Sequence, residues 1–335
     1  MKTPNLFDFA TSELSQDAFI CWLLSWAAPE HAAADLALHS CSRELIAKFF
    51  AIHETPLPHS IDSIEVTKQS HHIDVLCMVN GKYAIIIEDK TGTQESNNQL
   101  ARYIEAIRSK GIAPDDILPI YFKTHDQSSY ITVVSSGYRV VSRHDLLLIL
   151  ESCSSTNAIL VDFRNLLNEL ESKYQSYLTL PLSEWYWHSW IGFYQALQQE
   201  LKLQNECWRY VANPAGGFLS FYWAWHHDDG EDCGVYLQLE QQTLCFKVGD
   251  VAEEKHQSAR GKWHELIVSN ARQCGLQVTK PGRFGKGAYM TVAVLNDEYR
   301  ITKPDGLLDM AATFQKVHDI EAFFRRTVSI SSGKA

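Results

Sequence analysis

The chain has 335 residues, of which 45% are hydrophobic and 21% charged, and a formal net charge of −10. That length exceeds what one hydrophobic core ordinarily organises, so two domains are expected, and the composition excludes a disordered or fibrous chain. The acidic balance excludes wholesale coating of the surface by a polyanion.

In chain order, a first helix is predicted over about 15–27, capped by Ser12 or Ser15, with Phe19, Leu23 and Trp26 on one face. A second covers about 35–50 and is closed by Pro56-Leu57-Pro58. Strand-like runs follow at 63–69, 72–79 and 82–87, and Asn80-Gly81 between the last two is a strong hairpin signal. A helix over about 97–109 ends at Gly111, before strands at 117–122 and 138–141 and a helix over about 143–151. A hairpin followed by a strand–helix–strand crossover predicts a mixed β-sheet flanked by helices, an α/β (α+β) fold. A long helix over about 159–177 leads to Pro181, which places a first domain at 1–180 and a second, α+β domain at 181–335. The second domain reads as a helix at 183–202, strands near 218–226, 234–240 and 243–248, a helix at 261–274, a strand at 288–295 and a last helix at about 308–327.

The N-terminus has no basic start followed by an apolar core, and the longest largely apolar run near it, Phe19 to Ala28, is shorter than the roughly 20 residues of a bilayer span. None of the eight cysteines forms a Cys-x-x-Cys pair, so reduced, mostly buried thiols in a cytoplasmic protein without membrane association are expected.

The chemistry gathers in Lys82-Tyr83-Ala84-Ile85-Ile86-Ile87-Glu88-Asp89-Lys90-Thr91-Gly92, where a buried-type strand runs into three charges. Alternation puts Glu88 and Lys90 on one face and Asp89 on the other. A turn at Asn80-Gly81 sets Val79 opposite Lys82 and Asp74 opposite Ile87, leaving Asp74 diagonal to Glu88. Carboxylates at buried strand ends are costly unless they are paired or hold a cation. A hard cation such as Mg2+ takes oxygen ligands and keeps waters for a phosphate substrate, and a lysine beside it could serve the attacking water. A surface salt bridge is the plain alternative for these three residues alone. On the helix that follows, Gln99 and Tyr103 are four apart and share a side.

The order Asp74, Glu88-x-Lys90, Gln99-x-x-x-Tyr103 on strand, strand and helix resembles the PD-(D/E)XK nuclease superfamily, in particular its lambda-exonuclease/RecB-like branch. The resemblance covers about residues 5–150, and the opening from Asn5 to Phe19 looks like uncharacterised bacterial members. It implies a metal-dependent nuclease acting on nucleic acid, with DNA the expected substrate and Mg2+ or Mn2+ the cofactor. Asp74, Glu88 and the Asp89 main-chain carbonyl would bind metal, Lys90 would be the catalytic lysine, and Gln99 and Tyr103 would position the backbone or the catalytic groups. An early-helix acid would complete the metal site, with Glu13 the first choice and Glu44 the second. Ile73 stands where the superfamily's name has Pro. A nuclease-fold binding module without catalysis, or a subunit of a larger defence or restriction-like assembly, are the alternatives, and a homo-oligomer or a partner subunit is compatible with the chain.

Lys255–Lys303 holds nine basic and three acidic residues, an asymmetry that permits a nucleic-acid-facing surface. Within it, Lys280-Pro281-Gly282-Arg283-Phe284-Gly285-Lys286-Gly287 reads as a basic surface loop, and Arg283 and Lys286, with Arg102 on the Gln99–Tyr103 helix, are expected nucleic-acid contacts. His71-His72 reads as polar residues opening a strand, and His226–Asp232 as a solvated turn. Leu182, Tyr186, Trp190, Phe193, Leu197 and Leu201 form a core stripe, leaving Trp185 and Trp187 as aromatics that could stack bases.

Overall fold

The computed structural model describes residues 4–70, 73–91, 99–213 and 216–331; His71-His72 and the start of the helix expected at 97 lie outside them. The chain divides into two compact units, Met1–Lys173 and Tyr174–Ala335. Among the described residues no helix is long and apolar enough to cross a membrane.

The first unit opens with helices α1 (Glu13–Ser25) and α2 (Leu36–Ile52), the latter capped by Asp35, whose carboxylate accepts from the Leu38 amide at 2.9 Å. Strands β1 (Ile64–Ser70), β2 (Ile73–Val79) and β3 (Tyr83–Lys90) form an antiparallel meander. Helix α3 (Gln99–Arg108) crosses over to β4 (Ile117–Lys123), parallel to β3, and a short α4 (Ile131–Ser135) leads to β5 (Arg139–Ser142), parallel to β4. Helices α5 (Arg143–Ser152) and α6 (Ala158–Tyr174) follow. The result is a mixed five-stranded sheet ordered β1-β2-β3-β4-β5.

Both faces of this sheet are covered, which accounts for the continuous apolar runs in its central strands. Ile85, Ile87, Val75 and Cys77 point into a core built with α1, α2, α5 and α6, whereas Leu76, Ala84 and Ile86 meet Leu100, Tyr103 and Ile107 of α3. Every residue of β4, and all of β3 after Tyr83, is buried. Charges at the end of β3 therefore sit in a structure with little water to solvate them.

The hairpin register differs by one residue from the predicted one. Asn80 and Gly81 take φ of 54° and 62°, and Lys82 stays in the loop, so Val79 pairs with Tyr83 and Val75 with Ile87. Continued one step, that register puts Asp74 directly across from Glu88 instead of diagonal to it, with both side chains on the α3 face.

The second unit comprises α7 (Trp187–Glu200), strands β6 (Trp208–Val211), β7 (Phe218–Asp228), β8 (Cys233–Glu240) and β9 (Thr243–Gly249), helix α8 (His256–Gln273), strands β10 (Val278–Thr279) and β11 (Met290–Leu295), and α9 (Met310–Ser331). Its six strands are antiparallel in the order β10-β11-β9-β8-β7-β6. Trp190, Phe193 and Leu197 of the predicted stripe are buried, but Tyr186 is exposed. Trp185 is not left over for bases: it packs edge-on against Trp190 at 4.9 Å and donates to the Leu180 carbonyl, while Trp187 stays at the surface beside Tyr210. Nor is the turn after β7 wholly solvated, since Asp228 is buried and holds Lys262 at 2.7 Å and the Trp263 indole at 2.8 Å.

Candidate active site

The site lies where β3 leaves the sheet. Glu88 has no exposed surface, Asp89 is 1% exposed and Lys90 9%, whereas the Asp74 side chain is 24% exposed. The Lys90 ammonium stands 2.5 Å from Glu88 Oε1, 3.1 Å from the Asp89 carbonyl oxygen, to which it donates, and 3.9 Å from Asp74 Oδ2. Asp74 Oδ2 also accepts from the Asp89 amide at 3.0 Å, which fixes the carboxylate against the β3 backbone. Three oxygens thus converge on one positive charge.

Helix α3 completes this face. The Gln99 side-chain amide donates to Glu88 Oε1 at 2.9 Å and lies 2.6 Å from the Tyr103 hydroxyl, which accepts from it. The other oxygen of Glu88, Oε2, is buried with no hydrogen-bond partner. Burial first, then the Asp74 carboxylate, push the Glu88 carboxyl up to about 7 against the pull of Lys90. Burial pulls the Lys90 ammonium down, but Glu88 and Asp74 outweigh it and hold it above the usual lysine value.

The opposite face of β3 carries a second polar cluster that periodicity did not reveal. Gln16 of α1 donates to Asp89 Oδ1 and accepts from the Thr124 hydroxyl at 3.0 Å. Asp17 lies within hydrogen-bonding reach of Asp89; burial and then Asp74 push Asp17 up to about 6, and burial and then Asp17 raise Asp89 well above the carboxylate range. Arg143 of α5 donates to the Thr124 carbonyl at 2.6 Å and is itself held by Asp126 at 2.9 Å and Glu171 at 2.8 Å. On the α3 face, by contrast, Lys123, 3% exposed, is the register partner of Lys90 on β4 and shares its side of the sheet. The sequence signals for these residues were a Gln-Asp pair in the first helix and a lysine ending an apolar strand, both too common to single out.

Of the acids weighed for the early helix, Glu13 is at the strand end, where it accepts from the Thr91 amide at 3.1 Å and hydroxyl at 3.3 Å, and its charge reaches Lys90. Glu44 is elsewhere, exposed on α2 and accepting from Ser152 at 3.2 Å. Arg102 is exposed on α3 beside Tyr103. Arg283 and Lys286 are exposed in the second unit, in a loop whose Phe284 packs under Lys280 at 4.4 Å and Arg260 at 5.1 Å.

Among the described residues no group of three or more His, Cys, Asp or Glu side chains forms a metal-ligand cluster. The site instead offers two carboxylates and one carbonyl, a hard oxygen set whose donor chemistry suits Mg2+ or Mn2+. The buried Oε2 of Glu88 fits the same reading, because a buried carboxylate oxygen without a donor calls for a cation or a proton. Asp17 Oδ1 and Asp89 Oδ2 on the other face are in the same state and can meet it with one proton between them.

Residues 4–176 match the family model of the PD-(D/E)XK nuclease superfamily. No curated protein matches the chain, and no solved structure does.

Proposed function

The chain belongs to the PD-(D/E)XK nuclease superfamily, and from that premise we propose that it is a metal-dependent nuclease hydrolysing phosphodiester bonds, with DNA the first substrate to test. The observation that carries the reading is the convergence of Glu88, the Asp89 carbonyl and Asp74 on the Lys90 ammonium at a buried strand end. In this reading Asp74, Glu88 and the Asp89 carbonyl hold Mg2+ or Mn2+, with Glu13 approaching from α1. The bound cation supplies Lewis acidity and a water of lowered pKa.

The chain's own groups do the rest. Asp74 and Glu88 serve in their ionised forms, which requires Glu88 to lose the proton that its burial favours. Lys90, already beside both carboxylates, orients the attacking water or neutralises charge gathering on a phosphate oxygen. Gln99 fixes one oxygen of Glu88 and so aims the other. Tyr103 accepts from Gln99 and keeps its own hydroxyl proton for a phosphate oxygen. Arg102, Arg283 and Lys286 contact the nucleic-acid backbone.

The test is cleavage of linear duplex, circular duplex and single-stranded DNA, and of RNA, with Mg2+, Mn2+ or EDTA. A Lys90→Ala protein purified in parallel exposes contaminating nuclease. Cutting that needs metal and vanishes in the variant is expected; equal cutting by the variant, or none on any substrate, overturns the assignment.

A further inference from the structure

In the second unit the apolar core draws on one face of the six-stranded sheet, through residues such as Phe221 and Trp223 of β7 and Val235 and Leu237 of β8. The other face surrounds a cavity of about 440 Å3 bordered by Tyr222, Trp225, Tyr236 and Tyr289. One of these residues is there out of turn. Alternation along β7 would send Trp225 to the core side with Phe221 and Trp223. The pairing with β8 slips between Trp223 and His226, Ala224 takes φ of 55°, and Trp225 emerges on the open face, 48% exposed. A bulge that forces a non-glycine residue into the left-handed region is strained, and such features re-aim side chains beside binding sites.

The indole has a prepared seat. It stacks on Tyr236 with ring centres 4.5 Å apart and planes 18° from parallel. A Cβ on Gly234 would overlap the indole, and one on Gly249 would meet it at 3.0 Å and Tyr289 at 2.9 Å. Beside the stack, the Arg209 guanidinium lies 5.8 Å over the Tyr222 ring. The floor of the cavity is polar, because Ser220, Gln238 and Lys247 are each more than nine-tenths buried. Gln238 donates to Glu240 at 2.9 Å, and Lys247 reaches Glu240 at 2.9 Å and Thr291 at 3.1 Å.

This combination discriminates between occupants. An apolar protein anchor pressed onto the floor would strip water from Glu240, Gln238 and Lys247 without returning hydrogen bonds. A nucleobase offers a π-face to the Trp225–Tyr236 stack, ring-edge donors and acceptors to the floor, and a phosphate to Arg209. Bases in a duplex have their faces stacked and their pairing edges taken, and their groove edges cannot lie flat on the indole. We propose that this sheet face binds single-stranded nucleic acid, one base stacking on Trp225 with its phosphate at Arg209. The choice of polymer rests on the nuclease reading; the site itself does not.

The full chain carrying Lys90→Ala, in EDTA so that nothing is cut, is titrated with dye-labelled single-stranded DNA and RNA of about 15 nucleotides, the upper range of single-domain site sizes, and with a duplex of equal length. Anisotropy is expected to show both single strands binding more tightly than the duplex. Trp225→Ala is expected to weaken single-strand binding about tenfold, within the range for one stacked base, and Trp225→Phe to recover most of it. Arg209→Ala, at the exposed rim, is expected to weaken it several-fold and to flatten its salt dependence, which keeps the test decisive if Trp225→Ala misfolds. Single-strand binding unchanged in both Trp225→Ala and Arg209→Ala overturns the proposal, as does a Trp225→Ala effect on sedimentation mass without one on binding, which would mark a protein interface. Cleavage of the same strands by the chain with Lys90 intact separates the two readings. Binding without cutting removes the nuclease and leaves this site; cutting with binding indifferent to Trp225 and Arg209 does the reverse.

Discussion

On the α3 face of β3, Glu88 meets an ammonium, an amide and the open side of Asp74, and one of its oxygens has no hydrogen-bond partner. On the α1 face, Asp89, the next residue, meets the Gln16 amide and a second carboxyl, Asp17, and is closed in by Thr124 and Arg143. Both carboxyls are buried and both are pushed upward by that burial. The difference lies in what balances them. Asp17 Oδ1 and Asp89 Oδ2 also lack a hydrogen-bond partner, but one proton shared between those two carboxyls closes both. Glu88 instead lies beside the part-exposed Asp74, and the two present oxygens to whatever cation arrives. Burial, a raised pKa and an unfilled oxygen alone therefore do not mark a reactive group; the part-exposed Asp74 carboxylate and the facing Lys90 ammonium separate the candidate site from its anchor.

The largest test of that contrast is substitution on either side of the strand. Asp74→Ala, Glu88→Gln and Lys90→Ala are each expected to lower cleavage by roughly a thousandfold or more, the loss typical of a group on which metal or proton chemistry depends. Asp89→Asn keeps the bond to Gln16 and the main-chain carbonyl, and is expected to hold cleavage within about tenfold, since no charge in contact with substrate is lost. Initial rates and thermal melts of the four proteins decide it. An Asp89→Asn protein as inactive as Glu88→Gln, with an unchanged melting temperature, would erase the distinction between the faces.

Next comes pH. Glu88 is raised from 4.5 to about 7 and Asp17 from 3.8 to about 6, both first by burial. For a carboxyl whose folded pKa lies above its unfolded one, the folded state holds the proton more tightly, so stability is greatest below the unfolded value and is lost as pH rises through the folded one. The metal-free protein is therefore expected to lose stability between pH 4.5 and 7, by up to ~3 kcal/mol from Glu88, at about 1.4 kcal/mol per unit. Mn2+ should restore the loss at pH 7 and do little at pH 5, where it competes with the proton. Melting curves across that range, with and without Mn2+, test both halves, and a melting temperature that rises with pH in EDTA would contradict the burial argument.

A smaller effect is expected at α3. Gln99→Ala frees Glu88 to rotate and removes the bond to Tyr103, and Tyr103→Phe removes the hydroxyl alone. The first should cost cleavage about tenfold to a hundredfold, as for partners that orient ligands, and the second about tenfold or less. If Tyr103 acts only through Gln99, the double variant should be no slower than Gln99→Ala; a further loss would assign Tyr103 its own contact with phosphate.

These sites differ in how far they could be read from the chain. Asp74, Glu88, Lys90, Gln99 and Tyr103 stood out because a charged triplet ending an Ile-rich strand breaks the local pattern, and the mixed sheet followed from one hairpin and one crossover. The one-residue error in register came from the loop, since Asn80-Gly81 specified a turn but not whether Lys82 belonged to the strand. Gln16, Asp17 and Thr124 were invisible because their partner, Asp89, is brought to them only by the packing of α1 on the sheet. Trp225 was hidden for a different reason: period-two reasoning assigns it to the core, and the bulge at Ala224 that reverses it leaves no mark in residue type.

The smallest expected effect concerns the first helix. Glu13 is tied to Thr91, one residue past Lys90, and its charge adds to the field on that ammonium. Glu44 bonds Ser152 at the surface. If Glu13 helps hold the cation, Glu13→Gln should keep the Thr91 contacts, which need only an acceptor oxygen, while raising the Mg2+ concentration for half-maximal cleavage several-fold through loss of one negative charge. Glu44→Gln should change neither. A Glu13→Gln protein with an unaltered Mg2+ requirement but a lowered melting temperature would make Glu13 a clamp on the end of β3, and would leave Asp74, Glu88 and the Asp89 carbonyl as the whole of the chain's contribution to the metal.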